Sequence, residues 1–147
     1  MSLIRRLCLV GVIALAACEN SVESQLEQQQ WEDLGIRDYQ FQYLVSCFCG
    51  FNGPNPALIT VRDGAVTKVE PVGSGAPVMG SLEKWPTIDS LFVVISRATA
   101  MNPHVLDVEY DDTYHYPRKI EIDYRQTTAD DEITYTVDKF IPLSSSQ

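Results

Sequence analysis

Tyr39, Phe41, Tyr43, Val45, Cys47 and Cys49 alternate with Gln40, Gln42, Leu44, Ser46 and Phe48. A helix would scatter these side chains around its axis, whereas an extended strand sends every second one to the same side. The segment therefore commits the chain to a β-sheet with one aromatic, apolar face. Such a face is stable only under a covering layer, so the rest of the chain must supply one.

The other elements agree with that requirement. Residues 57–62 and 65–72 read as two strands joined by Asp63-Gly64, a strong hairpin signal because both turn positions need positive φ. Residues 50–56 and 73–80 are loops by their glycine and proline content. Pro86-Thr87 opens a helix with Thr87 as its N-cap, and Ile88, Leu91, Phe92, Ile95 and Ala98 form one apolar stripe that Asn102-Pro103 ends. Strands follow at 105–110, 118–124 and 133–141, each with period-two alternation. Residues 19–30 are polar and read as a tether running into a first helix. Val22, Leu26 and Trp31 give that helix only partial apolar spacing, and Gly35 closes it in the left-handed conformation.

The order is helix, three strands, helix, three strands. It predicts an α+β fold, an antiparallel sheet of about six strands with two helices on one face. PepSY-like and β-lactamase-inhibitor-like domains share that element order, an analogy that fixes no function.

The start of the chain says where the protein works. Arg5 and Arg6 precede an uncharged run from Leu7 to Ala14, and Leu15-Ala16-Ala17-Cys18 follows. This is the layout of a secretory signal, and it resembles the lipobox of bacterial lipoproteins. The resemblance implies acylation of the Cys18 thiol and cleavage before it. The run is too short to span a bilayer, which needs roughly 20 residues. The expected organisation is a signal over 1–17, a lipidated tether over 18–30, one domain over 31–142 and a flexible tail over 143–147. The expected location is the cell envelope, facing the periplasm or exterior. In lipoproteins with this start, aspartate after the cysteine favours the inner membrane, so Glu19 leaves the outer membrane open. The membrane is then a partner through the lipid on Cys18.

The formal net charge is −9, and loss of Arg5 and Arg6 would make the mature chain more acidic. That balance argues against nucleic acid as a partner and against a body lying flat on anionic lipid. Acidic charge of this size is also what keeps an exported domain soluble.

Three groups of residues could carry chemistry. Cys47 and Cys49 share a strand face, with Cα atoms about 6.6 Å apart on an ideal strand, at the upper edge of disulfide geometry. In an exported chain a strained local disulfide is the favoured expectation. Two buried thiols, or a redox or metal role, are the alternatives. Asp111, Asp112, Asp123, Asp130, Asp131 and Glu132 lie in or beside the last connections. Loop carboxylates can hold calcium, but aspartate is also an ordinary turn former, and no EF-hand spacing is present. No metal site and no cofactor are expected. His104 and His115 are the only histidines, and no serine elbow, His-Glu-x-x-His or phosphate loop accompanies them. Tyr110, Tyr114, Tyr116, Tyr124 and Tyr135 crowd the last strands. Most are expected in the core or in cross-strand pairs. Any exposed subset, with Tyr110, Tyr114, His115 and Tyr116 as the candidates, would make a binding surface.

Several short motifs share an order and spacing with a known family. They are Trp31, Asp38-Tyr39, Cys47-Phe48-Cys49 and Val61-Arg62-Asp63-Gly64, then Pro86-Thr87-Ile88-Asp89 and Leu91-Phe92. The C-terminal half adds Tyr110-Asp111-Asp112-Thr113-Tyr114-His115-Tyr116-Pro117, Ile120-Glu121-Ile122-Asp123 and Asp130-Asp131-Glu132. Together, over roughly residues 30–142, they resemble the bacterial domain of unknown function 6174. The resemblance implies fold and secretion and no activity. It also implies glycine where this chain has His115, so the turn there is expected to be remodelled.

The functional expectation is a non-catalytic envelope module that binds or assembles, with an envelope protein as its partner. A small hydrolase-like enzyme using His104 or His115, or a calcium-stabilised domain, is the alternative.

Overall fold

A computed structural model describes residues 13–48, 56–73, 77, 80–125 and 131–144, with side chains described from residue 21 onward. Helix α1 spans Ile13–Asp33, and strands β1 (Tyr39–Cys47), β2 (Ala57–Arg62) and β3 (Ala65–Pro71) follow. A short 3-10 turn at Leu82–Lys84 leads to α2 (Ile88–Met101), then β4 (Val105–Tyr110), β5 (Pro117–Asp123) and β6 (Glu132–Pro142). The strands form one open antiparallel sheet in the order β3-β2-β1-β6-β5-β4. The fold is thus α+β, as the element order predicts.

The alternation of β1 becomes the centre of the core. Tyr39, Phe41, Tyr43 and Val45 are buried, and Ile59 and Val61 of β2, Ile120 and Ile122 of β5 and Val137 of β6 join them on the same face. The covering layer is the α2 stripe, in which Ile88, Leu91, Phe92, Ile95 and Ala98 are all buried. Thr87 caps α2 in a reciprocal box with Ser90, and Ile88 N–H donates to the Tyr39 hydroxyl at 3.0 Å. Asn102 ends the helix in the left-handed conformation. Core strand and covering helix are therefore joined end to face by one phenol.

The β2–β3 hairpin turns as its sequence implies, with Asp63 at φ 48 and Gly64 at φ 75. Gly64 has a second reason to lack a side chain, since a Cβ there would sit 3.2 Å from the Arg37 guanidinium. That guanidinium is held by Asp63 at 2.8 Å.

Three expectations change. The segment expected as a tether is helical, because α1 runs unbroken from Ile13 to Asp33. Among its described apolar residues only Trp31 is buried, while Val22 and Leu26 are exposed. At about 100° per residue Trp31 lies on the opposite side of the helix from Val22, so the two cannot share one face. The tail expected to be flexible from 143 begins tied down. Leu143 N–H donates to Asp38 O at 2.8 Å and Arg62 donates to Ser144 O at 3.0 Å.

The last strand departs from strict alternation. Lys139 has φ 49, and the β1–β6 register shifts between Gln40 and Gln42. This bulge turns Phe140 toward the core face and leaves Ile141 exposed. Phe140 then meets Trp31, Tyr39, Tyr114 and Tyr116 at ring-centroid distances of 5.7, 5.4, 5.1 and 4.7 Å. One bulge thus gathers helix α1, the central strand and the β4–β5 turn around a single ring.

Candidate functional site

Among the described residues of α1, Trp31 is the one buried side chain, and polar contacts join the helix to its neighbours. The Trp31 indole N–H donates to Asp89 at 3.0 Å, at the first turn of α2. One turn and two turns earlier, Glu27 pairs with His115 Nδ1 at 2.9 Å and Ser24 accepts from the Tyr110 hydroxyl at 2.7 Å. Ser24, Glu27 and Trp31 follow helical spacing, so one stripe of α1 faces both α2 and the β4–β5 turn.

Beside this stripe a groove of about 330 Å³ separates α1 from α2. Ser24, Gln25 and Gln28 form the α1 wall, and Ser96 and Thr99 form the facing rim of α2. Phe92 and Ile95 make the floor. The groove exists because α1 presents hydroxyls and carboxamides to an apolar helix and cannot interdigitate with it. No ionisable side chain lines it among the described residues. Tyr110 stacks on Phe92 at 6.3 Å and 13°. Burial pushes the Tyr110 phenol up to about 12; the Ser24 hydrogen bond opposes that shift, and Glu23 and Glu27 add to it. Tyr110 therefore borders the groove as a neutral phenol at physiological pH, with Glu23 and Glu27 beside it.

The candidate residues named from the sequence fall in different places. Tyr116 is buried, and Tyr110, Tyr114 and Tyr135 pack against the core. Tyr43 and Tyr135 stack at 6.4 Å. The core and cross-strand expectation holds for these rings. Of the suggested surface residues, Tyr116 is buried, while Tyr110, Tyr114 and His115 are half-buried, Tyr114 against Phe140 and His115 beside Glu27. Burial likewise pushes Tyr116 up to about 12, with Asp111 adding to it. His104 lies in the bend before β4.

Two of the acidic residues, Asp111 and Asp123, act as turn formers. The Asp111 carboxylate accepts from the backbone N–H of Thr113 and Tyr114, and Asp123 accepts from that of Arg125. Among the described residues no group of three or more His, Cys, Asp or Glu is placed to hold a metal ion. Asp130 lies outside the described residues, as does Cys49. Cys47 ends β1 and is not a free thiol. Cys18 falls within α1, with its side chain outside the described part.

His115 takes φ 63, the conformation a glycine would take, and His115 N–H donates to Asp111 O while Asp111 N–H donates to Tyr116 O, both at 2.9 Å. A left-handed conformation costs a non-glycine residue about 1–2 kcal/mol, and the Glu27 bond, about 1 kcal/mol net, offsets much of it. His115→Ala keeps the strain and loses the bond, so its melting temperature should fall. His115→Gly loses the bond but sheds the strain and should melt close to the parent. Thermal melts that rank alanine level with glycine would disprove this account.

The family model described as a family of unknown function, DUF6174, matches residues 23–142. The chain belongs to the DUF6174 family. The matched span begins in α1 and ends with β6, so the DUF6174 unit includes the helix that carries Ser24, Glu27 and Trp31. No curated protein and no solved structure matches the chain, and the PepSY-like analogy gains no support. Within this DUF6174 chain the groove residues escaped the sequence reading. Their only signal was an uncharged hydroxyl and carboxamide stripe at Ser21, Ser24, Gln25 and Gln28, spaced three to four apart.

Proposed function

We propose that this chain is a non-catalytic binding module of the bacterial cell envelope, anchored by a lipid on Cys18. The observation that carries the binding role is the groove between α1 and α2. Its described lining offers hydrogen bonds and an apolar floor but no group that titrates near neutral pH, which suits recognition and not proton transfer. The anchor rests on the basic start, the uncharged run and Leu15-Ala16-Ala17-Cys18. Cys47 and Cys49 form a disulfide in this reading, supported by the exported compartment and by Cys47 not being a free thiol.

One experiment tests anchor and disulfide together. The chain is expressed with its native signal, extracted from membranes and weighed intact before and after reduction and alkylation. The expected mass is that of a chain starting at acylated Cys18, with Cys47 and Cys49 labelled only after reduction. A Cys18→Ser chain that is still processed and stays in the membrane would overturn the anchor, and full labelling without reductant would overturn the bond.

A small hydrolase-like enzyme is the second reading, favoured by the 2.9 Å His115–Glu27 pair. A histidine oriented by a carboxylate is the usual general base. The same pair holds α1 onto the β4–β5 turn, which gives it a structural role that needs no substrate.

A further inference from the structure

We propose that one end of the helix layer, formed by Val22, Leu26 and Met101, rests on the zwitterionic surface of the bilayer that holds the Cys18 lipid. This inference rests on the anchor reading above and gives the domain a fixed orientation on its membrane.

Exposure locates the surface. Among the described residues the most exposed large apolar side chains are Phe48, Met101, Val22 and Leu26, at 81, 66, 65 and 57 %. Phe48 lies just past β1. The other three share one end of the helix layer. Trp31 near the end of α1 bonds Asp89 at the start of α2, whereas Ser21 lines the groove with Thr99 and Ala100. The two helices therefore run antiparallel, and Met101 emerges beside the early turns of α1.

Helix geometry joins that end to the anchor. Positions 18, 22 and 26 follow one another along one stripe of α1, about 6 Å apart at 1.5 Å per residue. The buried Trp31 falls on the opposite side of the helix from Val22, so the stripe faces away from the body. The headgroup region is roughly 5–7 Å deep on each side of the hydrocarbon core. With the acyl chains of Cys18 in that core, Val22 lies within about one headgroup's depth of it. A helix inclined toward the membrane adds Leu26 and Met101. The covalent tether raises the effective concentration of the bilayer, so a few apolar side chains suffice where a free chain would not hold.

Charge selects the lipid. Among the described residues Arg97 is the one Lys or Arg of the two helices. It is exposed one turn before Met101, where a guanidinium can reach lipid phosphate. Asp89, Glu32 and Asp33 lie at the opposite end of the layer. Glu23 is exposed one turn from Leu26, and the chain carries a net −9. An anionic surface would repel such a body, and a zwitterionic one does not.

The test ligates the mature chain, with Cys18 as its N-terminal residue, to a thioester-bearing phospholipid in phosphatidylcholine nanodiscs. Only an N-terminal cysteine completes this ligation, and it proceeds whether or not the cell acylates Cys18. A nitroxide on the lipid headgroup then broadens the NMR signals of amides near the surface. Broadening at Val22, Leu26 and Met101 should be about threefold or more stronger than at Gln42 and Lys119, on the opposite face of the sheet. Val22 and Leu26 are exposed and glutamine is a good helix former, so Val22→Gln with Leu26→Gln should melt like the parent. In that variant the broadening at Met101 should fall to the level of the sheet face. Replacing half the phosphatidylcholine by phosphatidylglycerol should weaken it about twofold or more.

Equal broadening on the helix layer and the sheet face would mean that the domain tumbles freely on its tether, and would overturn the inference. So would a contact that survives the double replacement, or one that phosphatidylglycerol strengthens. The anchor is judged separately, by the intact mass of the chain expressed with its native signal. An unacylated native chain overturns the anchor even where the ligated chain docks. An acylated chain with no preferred face overturns the docking alone.

Discussion

Replacing Trp31 by alanine should lower the unfolding free energy by about 3–5 kcal/mol, the usual range for a buried tryptophan. Trp31 is 2 % exposed and is the only side chain of α1 in the buried core among the described residues. It meets Tyr39 and Phe140 edge to face at 5.5 and 5.7 Å, and its indole N–H holds Asp89. Without it the described side-chain contacts of α1 with the β4–β5 hairpin are those of Ser24 with Tyr110 and Glu27 with His115. Partly exposed polar contacts of this kind contribute about 1 kcal/mol each. The loss should therefore appear twice, as a lower urea midpoint and as faster amide exchange through residues 21–33. Trp31→Phe keeps most of the packing and gives up the Asp89 bond, so it should cost much less. If Trp31→Ala lost under 1 kcal/mol, or if α1 exchanged no faster than in the parent, the indole would not be the anchor described here.

Alkaline pH should unfold the protein between about pH 10 and 12. Burial holds the Tyr39 and Tyr43 phenols far above their usual range; Asp89 adds to the shift at Tyr39, against the Ile88 N–H, and Tyr135 adds to it at Tyr43. Tyr135 is raised by its own burial and then by Tyr124, and Tyr110 and Tyr116 are pushed up to about 12. In the unfolded chain these phenols ionise near pH 10. The folded pKa is thus the higher one, and its stabilisation is complete below pH 10 and is lost as pH rises through the folded values. Between those limits each tyrosine that stays protonated only in the fold removes about 1.4 kcal/mol per pH unit. Tyr39 and Tyr43 together remove about 2.7 kcal/mol per unit on the same linkage, against a typical total of about 5–15 kcal/mol. Circular dichroism and tyrosinate absorbance followed together should change in one cooperative step. Tyrosinate forming near pH 10 with the fold intact would contradict the burial of these rings.

The two predictions concern residues that sequence alone reads unequally. Tyr39 was legible as a core residue, because period two across β1 leaves it no other face. The α2 stripe was legible for the same reason at a period of 3.6, and Thr87, Asp63-Gly64 and Asn102 marked their boundaries through local backbone chemistry. Trp31 was half legible. It shares only partial helical spacing with Val22 and Leu26, and only the rotation of α1 about its axis separates the buried residue from the exposed pair.

The candidate site was mostly illegible. Tyr114 and Tyr116 pack inward because a bulge at Lys139 turns Phe140 toward the core, and a bulge depends on how two distant strands register. His115 looked like a disruption of a glycine turn. Its left-handed backbone is compensated by Glu27, which is 88 positions away. The groove arises where a polar stretch of α1 crosses an apolar stretch of α2, and neither stretch is unusual alone.

The sequence by itself determined the strands, the second helix, their order and the face each presents, since these follow from side-chain periodicity and from turn residues acting within a few positions. The tertiary structure alone decided the order β3-β2-β1-β6-β5-β4, the hub at Phe140 and the juxtaposition of α1 with α2. These depend on contacts between segments far apart in the chain, where burial and shape complementarity select the arrangement and no local pattern records the choice.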